Sequence, residues 1–350
     1  MTVSPIGDLL KYLNNNSHLV LRQKVILNEL EISRKLKGIL NESVVRNSSE
    51  NLLLSGGLDS SIVCSISRPK KTVTIASSVN APDVSYAKLV ASKYSKQHTQ
   101  IILKFDQLLE VIDSVIHILK TFDPIEIRNS SVLLAAIEHV KIDGGKSIMT
   151  GDGADELFAG YNYLLRYYDD LIKLDKELKR LWKIMSFSST RIGKKMGIEV
   201  MTPFLDNELV TFAESLDVNS KIGLRNGRIW GKYILRKCYE SDLGVNIAWR
   251  IKYAQEQGSG FAAIRNILLK RCKYMDSANA VDKSKQGARI RDMEQLYYFE
   301  IYRKYFPLPI EEPCAGERCP DCHACLRDNS NSNYCHTCGC FPTNRITRTI

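Results

Sequence analysis

The sequence has no apolar run approaching the roughly 18 residues that a membrane-crossing helix requires. Its start, Met1 to Asn16, holds no apolar stretch that could act as a secretory h-region. Proline is scarce, at 10 residues, and the 20 glycines follow no triplet period, which excludes a collagen-like chain. No internal repeat is visible. With 44% hydrophobic and 25% charged residues, coiled-coil and wholly disordered readings are excluded as well. These absences predict a soluble, cytoplasmic, globular protein with no membrane partner. The 350 residues suit one large domain or two smaller ones.

Acidic residues are short in one region. Residues 221–300 carry 16 basic against 8 acidic side chains, +8 of the chain's net +10. Such a stretch can attract nucleic acid or a polyphosphate ligand, or can simply be a solvated face. Cysteine is scarce over most of the chain, at Cys64, Cys238 and Cys272 only. The other seven of its 10 cysteines lie between Cys314 and Cys340. Without a secretory context this cluster reads as metal ligands rather than disulfides.

Hydrophobic spacing organises the chain. Leu36, Ile39, Leu40, Val44 and Val45 recur at helical intervals in a leader over residues 1–46. The run Asn51 to Ser55 reads as a buried parallel strand entering a Gly56-Gly57 turn, followed by a helix over Leu58–Ser67. Strand patterns follow at Thr72–Val79, Thr99–Leu103 and Lys146–Thr150. Helix patterns follow at Asp83–Tyr94, Asp106–Lys120 and Ser131–Val140. This alternation predicts an α/β fold with a parallel sheet covered by helices. Residues 161–300 read as mainly helical. Pro307, Pro309 and Pro313 flank Glu311-Glu312 and mark a linker into the cysteine-rich tail.

The strand-to-helix turn Ser55-Gly56-Gly57-Leu58-Asp59-Ser60-Ser61 has anion-binding chemistry. Glycines let backbone N–H groups approach a phosphate, the helix start adds partial positive charge, and hydroxyls supply further donors. A carboxylate at Asp59 would repel phosphate unless a metal such as Mg2+ lies between. No Gly-Lys-Ser/Thr closes the turn, so it is not a Walker loop.

This turn resembles the Ser-Gly-Gly-x-Asp-Ser-Ser pyrophosphate loop of the asparagine synthetase C-terminal (synthetase) domain. Three further blocks resemble that family in the same order: Thr150 to Tyr161, Gly197 to Asp206, and Trp249-Arg250-Ile251-Lys252 with Gly258-Ser259-Gly260. The resemblance spans roughly residues 35 to 265. It implies a parallel-sheet pyrophosphate-loop domain, adenine nucleotide α-hydrolase-like, over residues 47–306, with helical additions and a metal-bound module at 314–342. It implies an ATP-dependent carbon–nitrogen ligase, AMP-forming, that adenylylates a small-molecule carboxylate and forms an amide with ammonia or an amine. By position, Ser55, Gly56, Gly57, Asp59, Ser60, Ser61, Gly151 and Asp155 would bind ATP. Asp59 and Asp155 would hold Mg2+, and Lys252 would act at the α-phosphate. Asp152 stands where the family commonly has Glu, a base or polar contact near the attacking amine. The same role would bring the nucleophile about 1 Å closer. Glu156 is read either as a metal ligand or as a helix cap.

Glutamine-dependent members of the family begin with a glutaminase domain whose nucleophile is an N-terminal cysteine. Residue 2 here is Thr2, and only about 50 residues precede the loop. The expectation is free ammonia, a separate ammonia-supplying or carrier protein, or another amine.

In the tail, Cys319-x2-Cys322 and Cys335-x2-Cys338 are separated by 12 residues, a spacing that suits one structural Zn2+. Cys325 or Cys340 could replace a ligand. Cys314, His323 and His336 are near, and a second metal, an iron–sulfur cluster or a redox pair stays open. Two other functions also stay open. One is a tRNA-modifying adenylyltransferase whose zinc tail binds RNA. The other is a degenerate nucleotide-binding scaffold.

Overall fold

The computed structural model describes residues 29–272, 287–326 and 333–343. The start of the leader, residues 1–28, lies outside the described residues. Five parallel strands form the sheet: β1 (Asn51–Leu53), β2 (Lys71–Ala76), β3 (Gln97–Ile102), β4 (Ser147–Met149) and β5 (Glu199–Met201). Their order is β3-β2-β1-β4-β5. Leu52 pairs with Thr72 on one side and Met149 on the other, so β1 is the central strand.

The helices follow in chain order. They are α1 (residues 29–46), α2 (Leu58–Ser67), α3 (Pro82–Tyr94), α4 (Phe105–Leu119), α5 (Pro124–Ile142), α6 (Ala154–Leu157) and α7 (Leu171–Ile184). Next come α8 (Ser188–Met196), α9 (Asn207–Ser215), α10 (Tyr233–Leu243), α11 (Val245–Ala248), α12 (Gln255–Gly258), α13 (Ile264–Cys272) and α14 (Met293–Tyr305). A hairpin, β6 (Ile222–Arg225) and β7 (Arg228–Gly231), precedes α10. Among the described residues no helix is long and apolar enough to cross a membrane.

Alternation along the strands sorts the core into two layers. Leu52, Leu54 and Met149 face a layer with Leu36 and Leu40 of α1, Ile62 of α2 and Leu235 of α10. Val73, Ile75 and Ile148 face the opposite layer, built from α4, α5, α8 and α14. The cysteine-rich segment belongs to that second layer. Cys319, Cys322, Cys335 and Cys338 are buried in the same cluster as Phe122, Phe299 and Tyr302.

Two elements depart from the sequence reading. Helix α5 begins at Pro124, seven positions before the expected Ser131. Asp123 caps it by accepting from Ile125 N, and Pro124 at the first helical position needs no N–H partner. The segment read as helical contains β5 and the β6–β7 hairpin. The hairpin turns on Asn226 and Gly227, both at positive φ (51° and 74°), the geometry that an Asn-Gly pair provides.

Candidate active site

Strand order places the cavity. From β1 the chain runs outward to β2 and β3, then returns to the other side for β4 and β5. The loops leaving β1 and β4 therefore diverge and leave a crevice at the strands' carboxyl ends. A cavity of 390 Å³ lies there, lined by Ser55, Gly57, Asp59, Ser60, Gly151, Asp152 and Asp155 among others.

The β1 turn is shaped by its first glycine. Gly56 has φ +66°, and a Cβ there would stand 2.3 Å from Ala87 N, so no side chain fits. Gly57 N donates to Ser55 Oγ at 3.2 Å, and Ser55 Oγ lies 3.1 Å from Ser60 Oγ. No side chain caps the start of α2. Its first N–H groups and their partial positive charge remain available to an anion. Gly151 brings the β4 loop against this turn, since a Cβ there would lie 3.0 Å from Asp59 Cβ. Two of the expected residues stand behind the wall. Gly56 packs on Tyr86 and Ala87, and Ser61 is fully buried, and neither lines the cavity.

Asp59 and Asp155, 96 positions apart in sequence, meet at one ammonium. Lys232 Nζ lies 2.5 Å from Asp59 Oδ2 and 2.6 Å from Asp155 Oδ1. Lys252 pairs with Asp155 as well. Burial opposes the charge on Asp155, but Lys232 and Lys252 outweigh it and hold this carboxyl well below the usual range. Burial likewise opposes the charge on Lys232, and Asp155 and Asp59 overcome it, raising its pKa. For Lys252 burial prevails and lowers its pKa despite Asp155. Asp59 Oδ1 is buried and receives no hydrogen bond. Such an oxygen beside a second carboxylate is a donor set that suits a divalent cation.

Lys232 was missed in the sequence. It follows β7 in left-handed backbone (φ 54°) and donates its N–H to Phe158 O at 2.8 Å. Gly231 makes that approach possible, because a Cβ there would meet Ala159 O at 2.0 Å. The Asn226-Gly227 turn was the available signal for this hairpin, but nothing local says that its end reaches Asp59.

Arg250, also unassigned, ties the Lys252 segment to the loop. It donates to Asp83 Oδ1 at 2.8 Å and to Ser55 O at 3.1 Å, and its guanidinium sits 4.0 Å from the Tyr86 ring centroid.

The opposite wall carries carboxyls of another kind. Asp152 donates its backbone N–H to Thr150 Oγ1 at 3.5 Å, and burial raises the pKa of its carboxyl. Glu156 accepts from Tyr161 OH at 2.5 Å. Burial and then Asp155 push it up to about 7. Glu126 accepts from Ser130 at 2.7 Å and from Ser188. Arg and Lys ion pairs among the described residues involve Asp59, Asp83 and Asp155 on the first wall, and none of these three.

The cysteine module forms a second site. Sγ atoms of Cys319, Cys322, Cys335 and Cys338 all lie within 4.8 Å of one another, and all four residues are buried. Cys319–Cys338 and Cys322–Cys335 are each 3.7 Å apart. A tetrahedral ion with metal–sulfur bonds of about 2.3 Å needs sulfurs about 3.8 Å apart, so the set fits Zn2+. The two knuckles share a turn: His323 N donates to Cys319 O and Gly339 N to Cys335 O, with positive φ at both residues.

One expectation is corrected here. Cys314 and Cys325 form a disulfide, their Cα atoms 5.2 Å apart, and are not ligands. The bridge from Arg318 to Cys325 draws these two together outside the four-sulfur set. Cys340 is buried and also outside that set.

The fold and cavity define a parallel α/β domain whose ligand crevice lies at the switch point beside β1. The chain belongs to the asparagine synthase family, whose sequence profile matches residues 35–183 and 177–298. Asparagine synthetase B (glutamine-hydrolyzing) of Escherichia coli strain K12 is 27% identical over 311 residues, covering 81% of this chain and 55% of that protein. Asparagine synthetase (glutamine-hydrolyzing) 1 of Arabidopsis thaliana is 27% identical over 309 residues, 79% of this chain and 51% of that protein. The Saccharomyces cerevisiae asparagine synthetase 1 is 25% identical over 321 residues, 78% of this chain and 56% of that protein. The chain thus spans about half the length of the relatives it matches.

Proposed function

We propose that this domain is an ATP-dependent ligase that adenylylates a carboxylate and passes the acyl group to ammonia or an amine. One observation carries the reading: a glycine- and hydroxyl-rich turn and two aspartates from separate strand ends converge on one cavity with Lys232 and Lys252. A carboxylate oxygen attacks the α-phosphorus, the bond to the β-phosphate breaks, and pyrophosphate leaves. The uncapped start of α2 and the hydroxyls of Ser55 and Ser60 bind that leaving group. Lys252 faces the charge that develops at the α-phosphate. Asp59 and Asp155 would hold Mg2+, which neutralises phosphate charge when bound.

In the second step the amine nitrogen attacks the acyl carbon, the acyl–phosphate bond breaks, and AMP leaves. The nitrogen loses a proton to a base on the Asp152–Glu156 wall. Burial pushes Glu156 up to about 7, where a base is effective, and raises Asp152 as well. Three carboxyls without a lysine or arginine partner among the described residues also favour an amine that arrives as a cation. Ammonia from solution or from a separate protein both fit this step.

The burial of the cysteine module against α5 and α14 speaks for a structural zinc rather than an RNA-binding tail. The basic stretch 221–300 supports the same choice, because Lys232, Arg236 and Arg250 turn inward to the cavity. The test is ATP–pyrophosphate exchange screened over amino acids and other small carboxylates, with and without total tRNA. Exchange with a small carboxylate alone is expected. Exchange that needs tRNA would replace this reading with base modification, and no exchange would leave a nucleotide-binding scaffold.

A further inference from the structure

The cysteine module touches the cavity through a short series of bonds. Its second knuckle, Cys335 to Gly339, sits on the start of α5. Phe122 N donates to Thr337 O at 2.8 Å, Thr121 Oγ1 donates to His336 O at 2.8 Å, and Tyr334 OH donates to Asp123. Gly339 is required for this fit, since a Cβ there would lie 2.3 Å from Asp123 Oδ1. The same knuckle holds α14. Gln295 Nε2 and Arg291 Nη2 both donate to Cys338 O, at 2.8 and 2.6 Å.

One turn further along α5 lies Arg128. Its Nε donates to Glu256 at 2.5 Å, and its Nη1 donates to both oxygens of Glu294 at 2.7 Å. Glu294 is buried and neighbours Gln295, while Glu256 stands in α12, four residues after Lys252. Asn129 adds a second tie by accepting from Glu256 N at 3.1 Å. A charged side chain that bridges two carboxylates on different elements fixes those elements to each other.

We propose that the four-cysteine metal site is a built-in part of the catalytic cavity: it anchors α5 and α14, and Arg128, a positioning residue, transmits that anchoring to the segment carrying Lys252. The physical basis is that four thiolates order their knuckles only when they share an ion. The carbonyls of residues 336–339 that grip α5 and α14 then gain or lose fixed positions with the metal. The proposal rests on the reading that Lys252 acts on ATP, and the test separates the two.

The full chain would be stripped of metal with a zinc chelator and reloaded with Zn2+, and compared with the metal-loaded Arg128→Lys variant. Two readouts are followed: amide hydrogen exchange over residues 250–258, and the kcat and KM for ATP in pyrophosphate exchange. Stripping should raise hydrogen exchange of that segment about tenfold as local opening becomes easier. It should lower kcat about 100-fold, the cost of a misplaced group, with a smaller change in KM. Zn2+ should restore both. Arg128→Lys keeps the charge and loses the two-sided bridge, so it should reproduce both effects while retaining metal. If stripping frees only residues 314–340 and leaves the 250–258 segment and kcat unchanged, the proposal is wrong. If the stripped chain unfolds throughout, the Arg128→Lys comparison decides, and wild-type protection and kcat in that variant refute the proposal. If the wild type exchanges no pyrophosphate, the ligase reading fails while hydrogen exchange still judges the anchoring.

Discussion

The two walls of the cavity use carboxylates in opposite ways. On the side of the Ser55–Ser61 turn, Asp59, Asp83 and Asp155 are each paired with a lysine or arginine at the distances of charge-assisted bonds. Lys232 and Arg250 are themselves buried, and they act unequally: Asp155 is held well below the usual range, while burial pushes Asp83 up to about 6 despite Arg250. On the far side Asp152, Glu156 and Glu126 form no ion pair with a lysine or arginine among the described residues, and hydroxyls of Tyr161, Ser130 and Ser188 bond Glu156 and Glu126. Burial raises the pKa of Asp152 and pushes Glu156 up to about 7. One wall sets its carboxyls against buried cations, and the other leaves them without.

The largest expected effect tests the wall with the buried cations. Asp59→Asn or Asp155→Asn should reduce ATP–pyrophosphate exchange to background, with circular dichroism and melting unchanged in kind. Exchange at the wild-type rate in either variant would remove the metal-binding assignment.

Next is Lys232→Met, which leaves the Asp59 side of the network buried without its cation. Breaking a buried pair in this way costs about 3–5 kcal/mol, measured by denaturant unfolding. A loss below about 1 kcal/mol would place this network with ordinary surface pairs.

Glu156, on the wall without cations, predicts a pH effect. The carboxyl of Glu156 shifts from 4.5 to about 7 on folding, so the folded chain binds the extra proton between those values. Stability is full below the unfolded value and falls as pH rises through about 7, by about 3 kcal/mol. Glu156→Gln should flatten that slope in urea titrations at pH 5 and 8. If Glu156 also serves the amine step, amide formation rises with pH through the same range and the variant loses that rise. An identical stability slope in both proteins would refute the raised pKa.

The smallest effect is expected at the surface. Lys37 and Asp242 form a pair of 2.7 Å, as short as those in the cavity, but both remain partly exposed. Lys37→Ala should cost less than about 1 kcal/mol and leave exchange unchanged. A larger loss would mean that distance rather than burial sets the strength of these pairs.

Much of this arrangement was legible in local sequence. The turn at Ser55–Ser61 is contiguous, and its glycines and hydroxyls announce an anion site by chemistry alone. The Thr150–Tyr161 block and the two Cys-x2-Cys pairs are equally local. The start of α5 could also have been read from Asp123-Pro124, a cap followed by a first-turn proline. Lys232 was harder. Its segment reads as one more basic stretch, and its role depends on a hairpin docking against Phe158 and Ala159. Glu126 and Ser188 are likewise joined only by the packing of α5 against α8.

Short-range chemistry thus determined the glycine- and hydroxyl-rich turn, the alternation of strands and helices, and the cysteine knuckles, because each depends on neighbours a few residues away. Tertiary structure alone decided which cation meets Asp59 and Asp155, that Cys314 joins Cys325, and that Arg128 links the cysteine module to the cavity. Those contacts join side chains from 11 to 173 positions apart. Their partners are chosen by sheet order and helix packing, which no single segment encodes.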